Sequence, residues 1–341
     1  MVSKQTLIKL GFFMTLLTLV LVMLGAFVRL SDAGLGCPDW PGCYGHIGVP
    51  IETHEITTAQ SNYERPVEAP KAWKEMIHRY VAGTLGVLVF LLAFLSWQRR
   101  RQPDQEMILP LTLVILVVFQ ALLGMWTVTL KLLPIVVTAH LLGGIATLSL
   151  VWLFTLRQSQ WFVNPDWSNQ IATYLRPWAI LALLVVVAQI FLGGWTSANY
   201  AALACTDFPT CGGQWLPPTL NFAEAFTLWH PVGKDYEYAL HLSSETKVTI
   251  HFIHRVGALI TFSLLTIIVI ATLLSPAKYR TVKSVALAMF VLLLLQISLG
   301  VGNVMLQLPL FIAVLHNGVA ALLLLSVIAF NHVLYPLKSE L

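Results

Sequence analysis

The chain has 341 residues, of which 57% are hydrophobic and only 11% are charged, with a net charge of +4. Soluble domains are about 25% charged, so this composition excludes an ordinary soluble protein and indicates an integral membrane protein. The small positive charge is explained by lysines and arginines beside the apolar runs, and no nucleic-acid partner is predicted.

Eight apolar runs are long enough to span a bilayer, which takes roughly 20 helical residues. The first run lacks a clear cleavage site, so we predict a true span there and not a removable signal peptide. The predicted fold class is an all-α integral membrane protein with eight transmembrane helices. These lie near residues 9–30, 76–97, 107–130, 135–156, 174–195, 248–274, 283–305 and 310–335.

Lysine and arginine residues are concentrated in the short loops on one side of the spans, which predicts that this side is cytoplasmic. The two long loops, residues 31–74 and 196–247, contain few basic residues and are predicted to lie on the outer face. Both termini are then cytoplasmic. The basic residues behind this prediction are Lys4, Lys9, the three arginines at 99–101, Arg157, Arg176, Lys278, Arg280, Lys283 and Lys338.

The four cysteines form two pairs in the outer loops, Cys37 with Cys43 in "CPDWPGC" and Cys205 with Cys211 in "CTDFPTC". Disulfides persist outside the cytoplasm, and a short loop with a proline turn brings two Cα atoms within the required range of about 4.4–6.8 Å. A zinc site would need closer pairs and further ligands nearby. We predict two local disulfides, with free thiols as the alternative.

The second half of the sequence repeats the first. "EMIHR" at 75–79 aligns with "HFIHR" at 251–255, and the same offset of 176 residues aligns Gln120 with Gln296 and Gly124 with Gly300. Upstream, an offset of 168 aligns Gly25 with Gly193 and the two cysteine pairs. Each unit contains an even number of spans, so we predict two tandem four-helix bundles related by a parallel pseudo-twofold. Their predicted limits are residues 1–157 and 174–341, with a cytoplasmic linker at 158–173.

Four histidines occupy equivalent positions, at the outer ends of the second and fourth span of each half: His78, His140, His254 and His316. An ionisable side chain within a span is costly and suggests a function. Both helices of each pair start at the same surface, so their histidines lie at similar depth and can face each other. Capping or an interhelical hydrogen bond is the alternative for any single histidine.

Two opposed imidazoles suit a metal site or a haem iron with two axial ligands. Small residues lie about one turn from each histidine, and they leave room for a flat macrocycle; Ala82, Gly143, Gly257 and Ala320 are examples. A bare metal ion would need further ligands, and only the second half offers one, His251. The spacing therefore favours bis-histidine haem binding in both halves, although small residues also serve helix packing in membranes.

Charged neighbours distinguish the two halves. Arg79 and Arg255 directly follow the histidines of the second spans, where they could pair with haem propionates or extend to lipid headgroups. Three residues before each of these histidines the first half has Glu75 and the second has His251. A carboxylate can accept a proton or stabilise a charge, so the halves are predicted to differ in role. The alternative for Glu75 is an exposed acid in the first helical turn.

Taken together, five segments resemble the heme A synthase family, and the resemblance covers nearly the whole chain. They are "GAFVRLSDAGLGCPDWPGC", "EMIHR", "TAHLLGG", "HFIHR" and "VLHNGVA". The resemblance implies that the protein oxidises the methyl group at pyrrole carbon 8 of haem O to the formyl group of haem A. It implies successive hydroxylations, with water as the source of oxygen.

The resemblance also implies roles for individual residues. His254 and His316 would bind a haem B cofactor that carries electrons away, and His78 and His140 would flank the haem O substrate. Glu75 matches the acidic residue tied to catalysis. The first cysteine pair matches an outer-loop pair that relays electrons or holds the loop, and the second pair is expected to be structural.

The resemblance implies the bacterial inner (plasma) membrane, with the cysteine loops on the periplasmic face. Expected partners are haem O synthase and cytochrome oxidase assembly factors, and the sequence leaves open whether the protein forms a homo-oligomer. The alternative function is a non-enzymatic di-haem b-type electron-transfer protein; a transporter built from parallel repeats is less favoured, because the polar residues lie near the span ends. No role is predicted for the remaining histidines: His46, His54, His230, His241 and His332.

Overall fold

The structure is a computed structural model that describes residues 2–159, 169–229, 242–275 and 280–334. Most of the predicted linker lies outside the described residues. The same holds for His230, His241, Lys278 and Lys338.

The described residues form ten helices and no strands, and eight of the helices are long and apolar enough to cross a membrane. The protein is therefore an integral membrane protein, as predicted. The spanning helices are α1 (Lys4–Leu30), α3 (Ala69–Gln98), α4 (Ile108–Thr129), α5 (Pro134–Gln158), α6 (Asn169–Ala198), α8 (Ser244–Leu273), α9 (Arg280–Met305) and α10 (Leu310–Leu334). Two short helices, which the sequence did not predict, lie in the long loops: α2 (Thr53–Asn62) and α7 (Phe222–Ala225).

Local signals start several of these helices. The Ser3 hydroxyl accepts the backbone N–H of Thr6 at the start of α1, and the Ser243 hydroxyl accepts that of Thr246 at the start of α8. Proline occupies the first turn of α3 and of α5, where its missing N–H costs nothing. Three of these starts belong to helices that carry the paired histidines: α3 carries His78, α5 carries His140 and α8 carries His254.

Helix contacts fall into two groups. In the first, α1 contacts α3 and α5, and α4 also contacts both; in the second, α6 contacts α8 and α10, and α9 also contacts both. The groups meet where α1 and α5 contact α10 and where α5 contacts α6. This pattern supports the predicted division into two four-helix units, whose limits and parallel pseudo-twofold stay predictions.

Apolar packing fills the end of the helices opposite the long loops. In the first group, Leu7 and Met14 of α1 pack with Leu92 of α3 and Phe154 of α5, all nearly inaccessible to solvent. A larger cluster joins α6, α8, α9 and α10 and reaches α5. The paired histidines lie toward the other end, beneath the two long loops, which we call the long-loop end.

Candidate functional site

Both cysteine pairs are bridged, which confirms the predicted disulfides. The Cα atoms of Cys37 and Cys43 are 4.7 Å apart, and those of Cys205 and Cys211 are 4.8 Å apart. In the first loop the bridge is buried in a small cluster that includes Tyr44 and contacts the start of α3. Each bridge therefore closes a short turn within its long loop, at the end of the helices where the histidines lie.

Glu75 connects α3 to the first disulfide loop. Its side chain is buried, and Oε2 accepts the backbone N–H of Cys37 at 3.0 Å. Its other oxygen, Oε1, accepts a hydrogen bond from Nη2 of Arg79, one turn further along the same helix. The alternative of an exposed first-turn acid is therefore wrong.

Arg79 completes this connection. Its Nη1 donates to the carbonyl oxygen of Asp39 at 2.9 Å and also contacts the carbonyl oxygens of Pro41 and Gly42. The guanidinium thus holds the loop backbone against α3. A contact of Arg79 with a haem propionate stays a prediction.

The second half contains the same arrangement with a histidine in place of the glutamate. The backbone nitrogen of Cys205 lies 3.2 Å from Nδ1 of His251, and Nε of Arg255 lies 3.2 Å from Nε2 of the same ring. Arg255 also donates to the carbonyl oxygens of Cys205, Asp207 and Thr210 at 2.7–2.8 Å. A neutral imidazole accepts at one nitrogen only, whereas a carboxylate accepts both donors.

A cavity of about 1160 Å³ lies under the first loop. His78, His140 and Glu75 all line it, and so do Trp40 and Pro41 of the disulfide loop, which forms its cover. Pockets for small ligands measure about 300–1,000 Å³. The two predicted ligand histidines of the first half therefore share one cavity that is large enough for a macrocycle.

Each of the four histidines packs against a glycine on a neighbouring helix. A Cβ atom added to Gly25 would lie 3.1 Å from Cε1 of His78, and one on Gly193 would lie 3.2 Å from Cε1 of His254. Such contacts are tight, so the glycines set the position of the rings. The other two pairs are Gly124 with His140, at 3.5 Å, and Gly300 with His316, at 3.1 Å. The repeat had aligned these glycines, but their packing against the histidines was not predicted.

Glutamine side chains hold the histidine segments in place. Nε2 of Gln120 donates to the carbonyl oxygen of His140 at 2.9 Å, and Nε2 of Gln296 lies 3.2 Å from Nε2 of His316. Gln189 donates to the carbonyl oxygen of His254 at 3.0 Å and lies 3.1 Å from its Nδ1. Sequence reasoning missed Gln189. The feature that could have revealed it is the repeat, because an offset of 168 aligns this polar residue with the apolar Leu21 of the first half.

The histidine rings fit a bound haem better than a bare ion. In the part of the chain that the structure describes, Nδ1 of His78, His140 and His316 is buried without a hydrogen-bond partner. Such atoms are costly unless a group from outside the chain satisfies the ring. The described residues also contain no cluster of three or more His, Cys, Asp or Glu side chains placed to hold a metal ion. Paired histidines beside tight glycines therefore suit an iron already held in a flat macrocycle.

The cavity residues that received no role from the sequence include His46 and Arg29. His46 lines the cavity beside the first disulfide loop. Arg29 lines it at the end of α1, donates to the carbonyl oxygen of Ser197 at 2.9 Å and stacks on the Tyr200 ring. The cavity therefore reaches the second half. The sequence feature that could have revealed Arg29 is again the repeat, because the offset of 168 aligns this charged residue with the neutral Ser197.

The fold and the site define a polytopic, all-helical membrane protein with a histidine-lined cavity beneath a disulfide-bridged loop. Residues 9–328 match the model of the COX15-CtaA family, described as "Cytochrome oxidase assembly protein". The chain is 48% identical over 325 residues to heme A synthase of Shewanella oneidensis, and 95% of each chain is covered. It is 26% identical to heme A synthase of Halalkalibacterium halodurans, over 89% of each chain. A heme A synthase of Wolbachia pipientis subsp. Culex pipiens is also 26% identical, over 96% of this chain and 95% of that protein. The chain belongs to the heme A synthase family, which confirms the resemblance.

Proposed function

We propose that this protein oxidises haem O to haem A, converting the methyl group at pyrrole carbon 8 to a formyl group. The observation that carries the proposal is the position of Glu75, which is buried and lines the same cavity as His78 and His140. The repeat places His251 at the equivalent position of the second half, so only the first half offers a carboxylate. The relatives named heme A synthase support the same activity.

His78 and His140 would hold the iron of the haem O substrate from opposite faces. Gly25 packs tightly against the His78 ring, and a ring held in this way orients the macrocycle within the cavity. Holding the substrate in one orientation is what presents a single methyl group to the reacting groups. Trp40 and Pro41 of the disulfide loop line the same cavity and cover it.

The reaction consumes one water in net terms and releases four protons and four electrons for each methyl group converted to an aldehyde. The first oxidation adds the oxygen of water and gives an alcohol. The second gives a geminal diol, which loses water to form the aldehyde. Glu75 is placed to accept protons or to stabilise the positive charge that develops as electrons leave.

His254 and His316 would hold haem B in the second half, where Gly193 and Gly300 pack against their rings. When bound there, haem B supplies one-electron transfer and passes the electrons on to an acceptor.

We also propose cytoplasmic termini and periplasmic disulfide loops, with haem O synthase and cytochrome oxidase assembly factors as partners.

The experiment that tests the proposal compares Glu75→Gln with His251→Gln in cells that make haem O. Glutamine keeps an oxygen to accept the Cys37 N–H but removes the charge. We expect haem A formation by Glu75→Gln to fall by about 100-fold or more, as for the loss of a general base. Haem O and a hydroxylated intermediate should accumulate, whereas His251→Gln should retain haem A formation. Unchanged haem A in Glu75→Gln membranes, measured by pigment extraction and chromatography, would refute the role of Glu75.

A further inference from the structure

The cavity of the first half reaches the outside of the helix bundle between α3 and α4. Phe90 of α3 and Val118 of α4 both line the cavity, yet they are 51% and 49% exposed. Both lie within spanning helices, so the surface that they share faces the hydrocarbon region of the bilayer. The cavity is therefore open sideways, toward lipid.

Small residues create this opening. Gly83 and Gly86 lie three residues apart on one face of α3 and line the cavity, and a Cβ atom added to either would meet no other atom within 4 Å. Ala121 of α4 lies opposite, in the same lining. We call the space bounded by Gly83, Gly86, Phe90, Val118 and Ala121 the α3–α4 cleft.

The second half has large side chains at the equivalent positions. The offset of 176 aligns Gly83 with Leu259 and Gly86 with Phe262, and it aligns Ala121 with Ile297. Phe262 and Ile297 pack against the buried core of the second half. The two halves share the glycines that contact the histidines, so the extra small residues of the first half serve something other than the haem ring. At Gly86 and Ala121 they leave space where the second half has the packed side chains of Phe262 and Ile297, whereas Leu259, the counterpart of Gly83, is 64% exposed.

We propose that the α3–α4 cleft binds the isoprenoid side chain of the haem substrate and is the route by which substrate and product exchange with the bilayer. The inference rests on the proposed function. Haem O carries a farnesyl-derived hydrocarbon chain that haem B lacks, and a chain of this kind gains free energy in an apolar groove facing lipid. The filled second half then suits a haem without such a chain, which stays bound as a cofactor.

The test copies the side chains of the second half into the cleft. Purified protein with a loaded second-half site is titrated with haem O or with haem B, and binding to the first half is followed by absorbance. For Gly86→Phe and for Gly83→Leu/Gly86→Phe we expect haem O to bind about tenfold more weakly, the effect of losing contact with only two methylene groups. Haem B binding should change by less than about twofold.

Val87→Phe is the matched control. Val87 lies on the same helix, is 70% exposed and does not line the cavity, so the same added bulk should leave both affinities unchanged. Equal weakening of both haems by Gly86→Phe would overturn the proposal, because the ring site and not the side-chain site would then be disturbed. Unchanged haem O affinity would overturn it as well, and would leave the cleft to phospholipid chains.

The outcome is separable from that of the proposed function. The titration measures binding and not conversion, so normal haem A formation by Glu75→Gln would remove the role of Glu75 without affecting the titration. A wild-type first half that binds neither haem would contradict both proposals.

Discussion

The two halves of this protein share one frame and differ inside it. Both have a disulfide loop held by an arginine, and both have a pair of histidines that pack against glycines. Among the differences at the site, the first half has Glu75, Leu21 and the small residues of the α3–α4 cleft. The second half has His251, Gln189 and the bulky Leu259, Phe262 and Ile297. The shared parts are those that a haem ring needs, and under the proposed function the differences distinguish a substrate site from a cofactor site.

The exchange of Glu75 for His251 also changes how firmly each loop is held. The carboxylate accepts the Cys37 N–H and the Arg79 guanidinium together, which leaves both donors satisfied. The His251 ring faces two donors and, when neutral, can accept from only one. Both loops are also held by arginine hydrogen bonds to backbone carbonyl oxygens, so the difference between them is confined to the side chain at position 75 or 251.

The largest expected effect comes from removing a ligand histidine in one half at a time. His254→Ala should lose nearly all of the tightly bound haem B, because the iron loses an axial ligand. His78→Ala should keep that haem and lose only haem O or haem A. Haem type and stoichiometry in the purified variants check this, and retention of haem B by His254→Ala would contradict the assignment of the halves.

Removal of each disulfide should separate loop function from loop stability. Replacing either cysteine pair by serine is expected to cost about 2 kcal/mol of unfolding free energy, since each bridge closes a short loop. Only the first pair should also reduce haem A formation, because the Cys37 N–H donates to Glu75. Thermal unfolding and haem A yield are measured on both double variants. An equal loss of haem A from both would show that the loops do not differ in role.

A smaller effect is expected from adding one methyl group beside each ring. Gly193→Ala would bring a Cβ to 3.2 Å from His254, and Gly25→Ala would bring one to 3.1 Å from His78. Each should weaken haem binding in its own half by about 1 kcal/mol, the lower end of overpacking costs. Gly124→Ala is the matched control, because its Cβ would lie 3.5 Å from His140, an ordinary contact. Haem titrations of the three variants measure the loss of affinity. Equal losses in all three would rule out the positioning of the rings by Gly25 and Gly193.

The smallest expected effect concerns pH and the second loop. Hydrogen bonds from the Thr210 hydroxyl and from the backbone N–H groups of Gly213 and Gly212 lower the pKa of Asp207 to about 2, from an ordinary value of 3.8. A lowered pKa stabilises the fold above pH 3.8 and loses that contribution as the pH falls toward 2.

Asp207→Asn should therefore be less stable than the wild type near neutral pH, and the two unfolding temperatures should converge between pH 4 and pH 2. The difference should be small, because Asp207 is partly exposed to solvent. Thermal unfolding across this pH range is the measurement. A difference that stays constant with pH would contradict the account of this carboxylate.

The spans were predictable from the sequence because their length and hydropathy are set by the bilayer, and each predicted span overlaps a helix of the structure. Their ends were less predictable. Helix α3 begins at Ala69, before the apolar run predicted from 76, because a proline in its first turn starts the helix in polar sequence. Helix α2 has no apolar stripe and was missed, although Glu52 and Glu55 form a capping box at its start.

The site was predictable where the repeat marked it and unpredictable where tertiary contacts made it. The histidines and Glu75 were found by comparing the halves. The contacts of Glu75 with Cys37 and of Gly25 with His78 join segments about 40 and 50 residues apart, and no local pattern records such contacts. The side of the cavity that opens to lipid likewise depends on how α3 and α4 pack.

The haem content of the purified wild-type protein, from cells that make haem O, tests the central claim most directly. The account predicts haem B at about one equivalent per chain, together with haem O or haem A from the first half. Haem B alone, at about two equivalents per chain, would contradict the account and identify a di-haem electron carrier instead.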